Sequence, residues 1–254
     1  MSVRRSPVLL AIVALVVVGG VAATAGLGYL FLRGPAPAPV ELGSASQAAS
    51  GAPATTPPLS GGAASTLGPQ GLDGTWTVDQ TIGSFSDFSD SFVGYRVDET
   101  FTNQKANTAV GRTPQVTGTL TLDGTSITAV DVSADLTRLT SDDNRRDGQL
   151  RRQAIETELF PTATFTLTTP IELDSVPADG QAIDATATGE LTLHGVTKTV
   201  QVPIKARLSG TVVTVTGSVD IQFADYGIQQ PTSFLVLSIE DHGTIELQLH
   251  FRHG

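Results

Sequence analysis

Four arginines stand at positions 145, 146, 151 and 152, inside the stretch NRRDGQLRRQ (144–153). A guanidinium is a planar fork of donors that suits phosphate or quinone oxygens. Five acids, Asp142, Asp143, Asp147, Glu156 and Glu158, lie among or beside them. A solvated, internally paired face is therefore the competing use of these charges. The other residues with chemical potential are few. His194 stands beside Gly195 at a strand end, which reads as a turn histidine bonded locally. His250 and His253 read as solvent-facing, and no carboxylate stands where a zinc site would need one. In DDNRRDG the arginines occupy places where a calcium loop needs oxygen ligands. There is no G-x-S-x-G, no phosphate-binding loop and no dinucleotide glycine pattern after a strand. The chain has no cysteine, so an activated thiol is excluded. The sequence thus predicts no catalytic residues, no metal site and no cofactor.

What must position these residues begins with the ends of the chain. Residues 8–32 carry no charged side chain. As a helix this run would span roughly 38 Å, enough to cross a bilayer core with some tilt. Ala23-Thr24-Ala25 has the small residues of a signal cleavage site, so a cleaved signal peptide is the alternative. The apolar run continues to Leu32, however, whereas a signal core usually has about 7–15 residues. Arg4 and Arg5 precede the run and only Arg33 follows closely. That bias predicts a single-pass anchor in the cell membrane, with residues 1–7 cytoplasmic and the rest extracytoplasmic. Residues 33–72 are rich in proline, glycine, alanine and serine and hold one acid, Glu41. Such a composition predicts a disordered tether with a span of roughly 35 Å.

Residues 73–254 then form one domain, long enough for a single core. The chain has 15 basic and 25 acidic side chains. Setting aside Arg4, Arg5, Arg33 and Glu41 leaves the domain 12 basic and 24 acidic ones. A net charge of −12 excludes nucleic acid and broad adhesion to anionic lipid surfaces.

From residue 116 onward, apolar and polar side chains alternate with period two. Ile183, Ala185, Ala187, Gly189, Leu191 and Leu193 share one parity, and Val213, Val215, Gly217, Val219, Ile221 and Phe223 repeat it. Asp123-Gly124, Asp179-Gly180, Ser209-Gly210 and His242-Gly243 are turn signals for tight hairpins. Eight to ten such strands close most economically into an antiparallel up-and-down barrel, with a two-sheet sandwich as the alternative. Many inward positions are small: Ala134, Ala163, Ala185, Ala187, Gly189, Ala206 and Gly217. Either they leave a cavity for a small ligand, or facing aromatics such as Trp76, Tyr95 and Phe165 fill the gaps. Between strands, Leu150, Ala154, Ile155 and Leu159 predict the apolar stripe of a short helical insert ending at Pro161. In SFSDFSDSF (84–92), Phe85, Phe88 and Phe92 suit one face of a short helix or a wrapped loop, with core packing the simpler use.

The pieces GTWTVD (74–79), RRDGQLR (145–151), FPTATF (160–165), GELTLHGVTK (189–198) and FADYGI (223–228) resemble, in order and spacing, the YceI-like family. The resemblance covers residues 73–254 and implies a lipocalin-like barrel of about eight strands with a helical insert. It implies an elongated apolar cavity for an isoprenoid or quinone-like lipid, in a protein that is commonly exported. One departure stands out: where the family usually has a His-Ser pair after the opening Trp-x-x-Asp, this chain has Ile82-Gly83. On inward parity the expected tail contacts are Tyr95, Val97, Phe101, Val132, Phe165, Leu167, Leu191, Val202, Val215 and Ile221. Arg146 and Arg151, in the matching motif, are the expected head-group contacts. The expected function is a membrane-tethered lipid carrier. The rival is a structural or interaction module with a filled barrel and an acidic outer face, and a homodimer is compatible with either.

Overall fold

The computed structural model describes residues 36–51, 72–231 and 236–254. The expected membrane span 8–32 lies outside them; among the described residues no helix is long and apolar enough to cross a membrane.

Period-two alternation becomes thirteen strands: β1 (Gly74–Val78), β2 (Phe92–Phe101), β3 (Ala106–Thr113), β4 (Val116–Asp123), β5 (Ser126–Asp135), β6 (Thr140–Ser141) and β7 (Thr162–Leu167), then β8 (Ile171–Glu172), β9 (Ala182–Leu193), β10 (Val196–Ser209), β11 (Val212–Gln222), β12 (Val236–Ile239) and β13 (His242–His253). Eight of them close a ring in the order β1-β4-β5-β7-β9-β10-β11-β13, and β1 pairs back onto β13. All the pairings are antiparallel.

Register explains why thirteen strands make an eight-stave barrel. β13 is long enough to pair with β1 through Phe251–His253 and with β2 through Thr244–Gln248. β1 and β2 are thus lower and upper halves of one stave, interrupted by a loop over 79–91. β3 and β4 share a second stave, broken only by Pro114-Gln115. A third stave is β5 continued by β6, which reaches β3 at Gly111 and Arg112. We call the end with the β4–β5 and β10–β11 hairpins the lower end, and the end with the helical insert the upper end.

Gly124 and Gly210 adopt left-handed φ angles of 61° and 60° in the two lower hairpins, as their sequence predicts. His242-Gly243 does not turn at all: it begins β13, where Gly243 pairs with Ile221. The upper hairpin joining β9 and β10 is made by His194 (φ 52°) and Gly195 (φ 73°), a pair of left-handed residues of the kind two-residue hairpins need. His194 also reaches well beyond its own turn. Its Nδ1 lies 2.9 Å from the Tyr226 carbonyl oxygen and its Nε2 3.1 Å from a Glu156 carboxylate oxygen.

Two further expectations are corrected. Residues 42–51, assigned to a disordered tether, form helix α1 (Leu42–Gly51), with Ala45 and Ala49 buried. Ala49 meets Ile82 and Val212 on the outer wall, and the Arg112 guanidinium donates to the Ala38 carbonyl at 3.0 Å. His250, expected in solvent, is wholly buried beneath the 79–91 loop. It lies 3.1 Å from the Thr214 hydroxyl and 3.0 Å from the Ser89 carbonyl, and burial holds its pKa below the ordinary value. The loop was free to cover a polar wall because that wall is built to bond it: Gln248 donates to the Phe88 and Asp90 carbonyls at 3.0 and 2.8 Å.

Candidate functional site: a two-chambered apolar interior

The inward parity of the strands encloses space. The lower chamber, about 180 Å³ in volume, is walled by Trp76, Leu120, Val132, Phe165, Val202 and Val215, among others. A second chamber of about 130 Å³ lies above it, between Tyr95, Val97, Leu193, Ile221 and the helical insert. Val93, Ala163 and Ile245 border both chambers and so form the waist between them.

Small residues and aromatics divide the work in a way that alternation alone left open. The alanines 134, 163, 185, 187 and 206 border the lower chamber and leave it open. Gly189 serves differently. A Cβ there would stand 2.5 Å from the Phe165 ring, so this glycine is the seat of an aromatic. Tyr95 similarly lies over Gly111, its partner on β3.

Most of the expected tail contacts border these chambers. Val132, Phe165, Leu191, Val202 and Val215 line the lower one; Tyr95, Val97 and Ile221 line the upper one. Phe101 is buried but borders neither, because it ends β2 beyond the upper chamber, where its stave pairs with β12 at Val236. Leu167 packs against the lower cluster without reaching the cavity.

The upper chamber carries the only charged side chains that combine inward orientation with specific pairing at either chamber among the described residues. The arginine-rich insert forms helix α2 (Asn144–Gln149), capped by the Asp143 carboxylate, which accepts from the Arg145 N–H at 2.8 Å. A wider turn, Leu150–Ala154, follows, and Glu156 ends it with a left-handed φ of 50°. The helix therefore stops short of Pro161. Leu150, Ala154 and Ile155 border the chamber as expected, but Leu159 lies past the stop and is 68% exposed.

Arg146 points down from α2. Its guanidinium donates to Glu99 at 2.9 Å and to Asp142 at 2.6 Å. Burial works against its charge, but Glu99 and Asp142 outweigh that and hold its pKa above the ordinary value. Glu99 is itself buried and is also bonded by Asn107 at 2.7 Å. Arg151 faces away from the chambers and donates to the Thr137 carbonyl at 3.4 Å. The acid at 147 is buried as well; it accepts from Ser141 N and Oγ and ties α2 to β6. Tyr95 projects its hydroxyl toward this group. That oxygen is buried with no hydrogen-bond partner, and burial raises the phenol's pKa. Glu99 was missed in the sequence, yet a signal was there: it continues the inward parity of Tyr95 and Val97, where an acid has no place in an ordinary core.

A closed antiparallel barrel with a hollow, almost wholly apolar interior can hold an apolar ligand. The chain belongs to the YceI-like domain family, whose model matches residues 76–251. It is similar in fold to a polyisoprenoid binding domain from Saccharophagus degradans implicated in plant cell wall breakdown. The identity is 18% and the TM-score 0.53, over 71% of this chain and 98% of that one. BcnA of Burkholderia cenocepacia also matches, at 18% identity and TM-score 0.47, over 61% of this chain and 95% of that one. The YCEI protein of Campylobacter jejuni matches at 17% identity and TM-score 0.47, over 57% and 84%. No curated protein matches.

Proposed function

We propose that this protein binds an amphiphilic isoprenoid-type lipid within the barrel, its tail passing the waist into the lower chamber and its head held above. The observation that carries this reading is the division of the interior. Both chambers are almost wholly apolar, Arg146 and Glu99 border the upper one, and three residues border both. A tail in the lower chamber gains about 0.8 kcal/mol per buried CH₂. The description of the Saccharophagus degradans domain as polyisoprenoid binding supports the same ligand class. The role is binding and carriage rather than chemistry.

The apolar run 8–32 anchors the chain, and the barrel stands on the extracytoplasmic side, close to the bilayer that would supply such a lipid. Organic extraction and mass spectrometry of the purified full chain test the binding. One prenyl lipid per barrel is expected; empty extracts together with no uptake of a fluorescent prenyl probe would leave an anchored β-structure without a ligand. Protease accessibility of residues 73–254 from either side of the membrane tests the orientation.

A further inference from the structure

We infer that His194 is a proton-operated latch on the upper chamber: its imidazolium holds the helical insert shut, and loss of one proton releases the insert and lets a ligand pass. The latch stands on its own geometry; that the ligand is a lipid rests on the reading above.

Three segments close the upper chamber beside this histidine. The insert contributes Ile155, the β9–β10 hairpin Leu193, and the stretch 223–228 both Phe223 and Ile228. Just outside those apolar contacts the three segments meet at one imidazole. Nδ1 of His194 lies 2.9 Å from the Tyr226 carbonyl oxygen, and Nε2 lies 3.1 Å from the Glu156 carboxylate. Phe160, which leads out of the insert, stands edge-on to the ring with 4.4 Å between centres. The His194 side chain is 10% exposed and that of Glu156 40%.

Both partners are acceptors. A carbonyl and a carboxylate oxygen have no hydrogen to give, so the two bonds form together only when both ring nitrogens carry one. A neutral imidazole has a single N–H and must turn a lone pair toward one of the two oxygens. The turn carrying the Tyr226 carbonyl is closed by its own backbone bonds, Gly227 N–H to Ala224 and Ile228 N–H to Phe223. Glu156 instead reaches water and has a left-handed φ of 50°, uncommon for a residue with a side chain. Glu156 is therefore the partner that leaves. The far end of the insert stays fastened through Asp147 to Ser141 and Arg146 to Glu99. Release is thus a hinge at the wide turn Leu150–Ala154.

The other titratable groups on the elements packed against His194 are Glu158 beyond Glu156, Asp225 and Tyr226 on the turn, and Lys198 on β10. Lys198 and Asp225 lie 3.9 Å apart and offset each other, and burial raises the Tyr226 phenol's pKa, keeping it neutral. Histidine changes charge between about pH 5 and 8, so the latch is held at the acidic end and lost as pH rises.

Two measurements on the full chain test this at pH 5.5 and pH 8. One is amide exchange of residues 150–160, corrected for the intrinsic pH dependence of exchange; the other is the rate of uptake of a fluorescent prenyl probe. Both should be about tenfold faster at pH 8, the loss of one hydrogen bond to a charged group. Glu156→Gln supplies an amide N–H that a neutral Nε2 can accept, so this variant should stay latched at both pH values. His194→Asn, a residue suited to the left-handed hairpin position, should be unlatched at both. Asp90 and His250, beneath the 79–91 loop, are unaltered in either variant, so their contribution cancels in the comparison. Equal exchange of residues 150–160 at the two pH values, or a pH dependence that survives Glu156→Gln, overturns the latch. If exchange behaves as expected but no probe is taken up at either pH, the latch stands and lipid binding falls.

Discussion

Arg112 and Glu246 form a buried ion pair on the outer wall of the barrel, Nε to Oε1 at 2.8 Å, with both side chains almost completely shielded from solvent. The arginine carbon also lies 4.5 and 4.4 Å from the ring centres of Phe88 and Phe92. One residue thus joins β3, β13, the 79–91 loop and the segment leading into α1. Arg112→Ala should destabilise the domain by about 3–5 kcal/mol, because Glu246 would remain buried with only the more distant Arg96 near it. Urea unfolding measures the loss. Limited proteolysis should show residues 38–51 released at the same time. If the pair matters by solvation and not by net attraction, Arg112→Met combined with Glu246→Met will restore most of the stability.

The same loop contains a carboxyl that folding works against. Asp90 is buried, one of its oxygens has no partner among the described residues, and desolvation pushes its pKa from 3.8 up to about 6. The Asp87 charge adds to the rise and Arg112 opposes it. A raised carboxyl pKa means that the folded state holds the proton more tightly than the unfolded state. The contribution is most favourable below the unfolded pKa, and it is lost as pH rises through the folded one. Asp90→Asn should therefore change little at pH 4 and stabilise the protein by about 1–2 kcal/mol at pH 7, allowing for partial hydration beneath a thin loop. Thermal melts of both proteins across that range give the difference; a constant gap would mean that Asp90 titrates normally.

Gly189 tests whether the interior is tailored or merely roomy. A methyl there would collide with the Thr166 carbonyl oxygen and stand 2.5 Å from Phe165. Neither can retreat cheaply, since one is backbone and the other walls the lower chamber. Gly189→Ala should cost about 2–4 kcal/mol in urea unfolding, although alanine is the smallest possible addition. Ala185→Gly, four residues earlier on the same face and bordering open cavity, should cost less than half as much.

Much of this architecture was legible in the chain. Alternation gave the inward set from Val130 to Phe251 because strand parity leaves no freedom once one face is apolar. Other features needed tertiary information. Helix α1 was averaged into a proline-rich tether, although no proline occurs between Pro39 and Pro53, and Leu42, Ala45 and Ala49 carry helical spacing. Small residues give a weak helical signal; it was packing against Ile82 and Val212 that decided their state. His250 falls on the polar parity, which predicts exposure, because nothing local announces that residues 79–91 fold back over it. Arg146 was singled out, but its occupation depends on Glu99, 47 residues away in sequence. Pairing at that separation is set by closure of the barrel, which a one-dimensional pattern does not encode.

Ala163 lies on the waist, where it borders both chambers and pairs with Ala134 on β5. Ala163→Phe should place a ring across the passage. If the tail passes from one chamber to the other, affinity for a long prenyl chain should fall by about tenfold, while a ligand short enough for the upper chamber alone should keep its affinity. Equal losses for both would mean that the substitution deforms the barrel, and equal retention would mean that tails do not cross there.

The direction of the ligand has its own reporter. Trp76 is the single tryptophan of the chain, and it borders the lower chamber, with its indole N–H donating to the Leu72 carbonyl at 2.9 Å. A prenyl lipid brominated at the end of its tail should quench Trp76 fluorescence on binding, because heavy-atom quenching acts at contact. The same lipid brominated at its head should quench far less, since the head would lie above the waist beside Arg146. Reversal of that pattern would put the head at the lower end. Arg207 and Gln181, which border the lower chamber, would then have to replace Arg146 and Glu99 as the polar contacts.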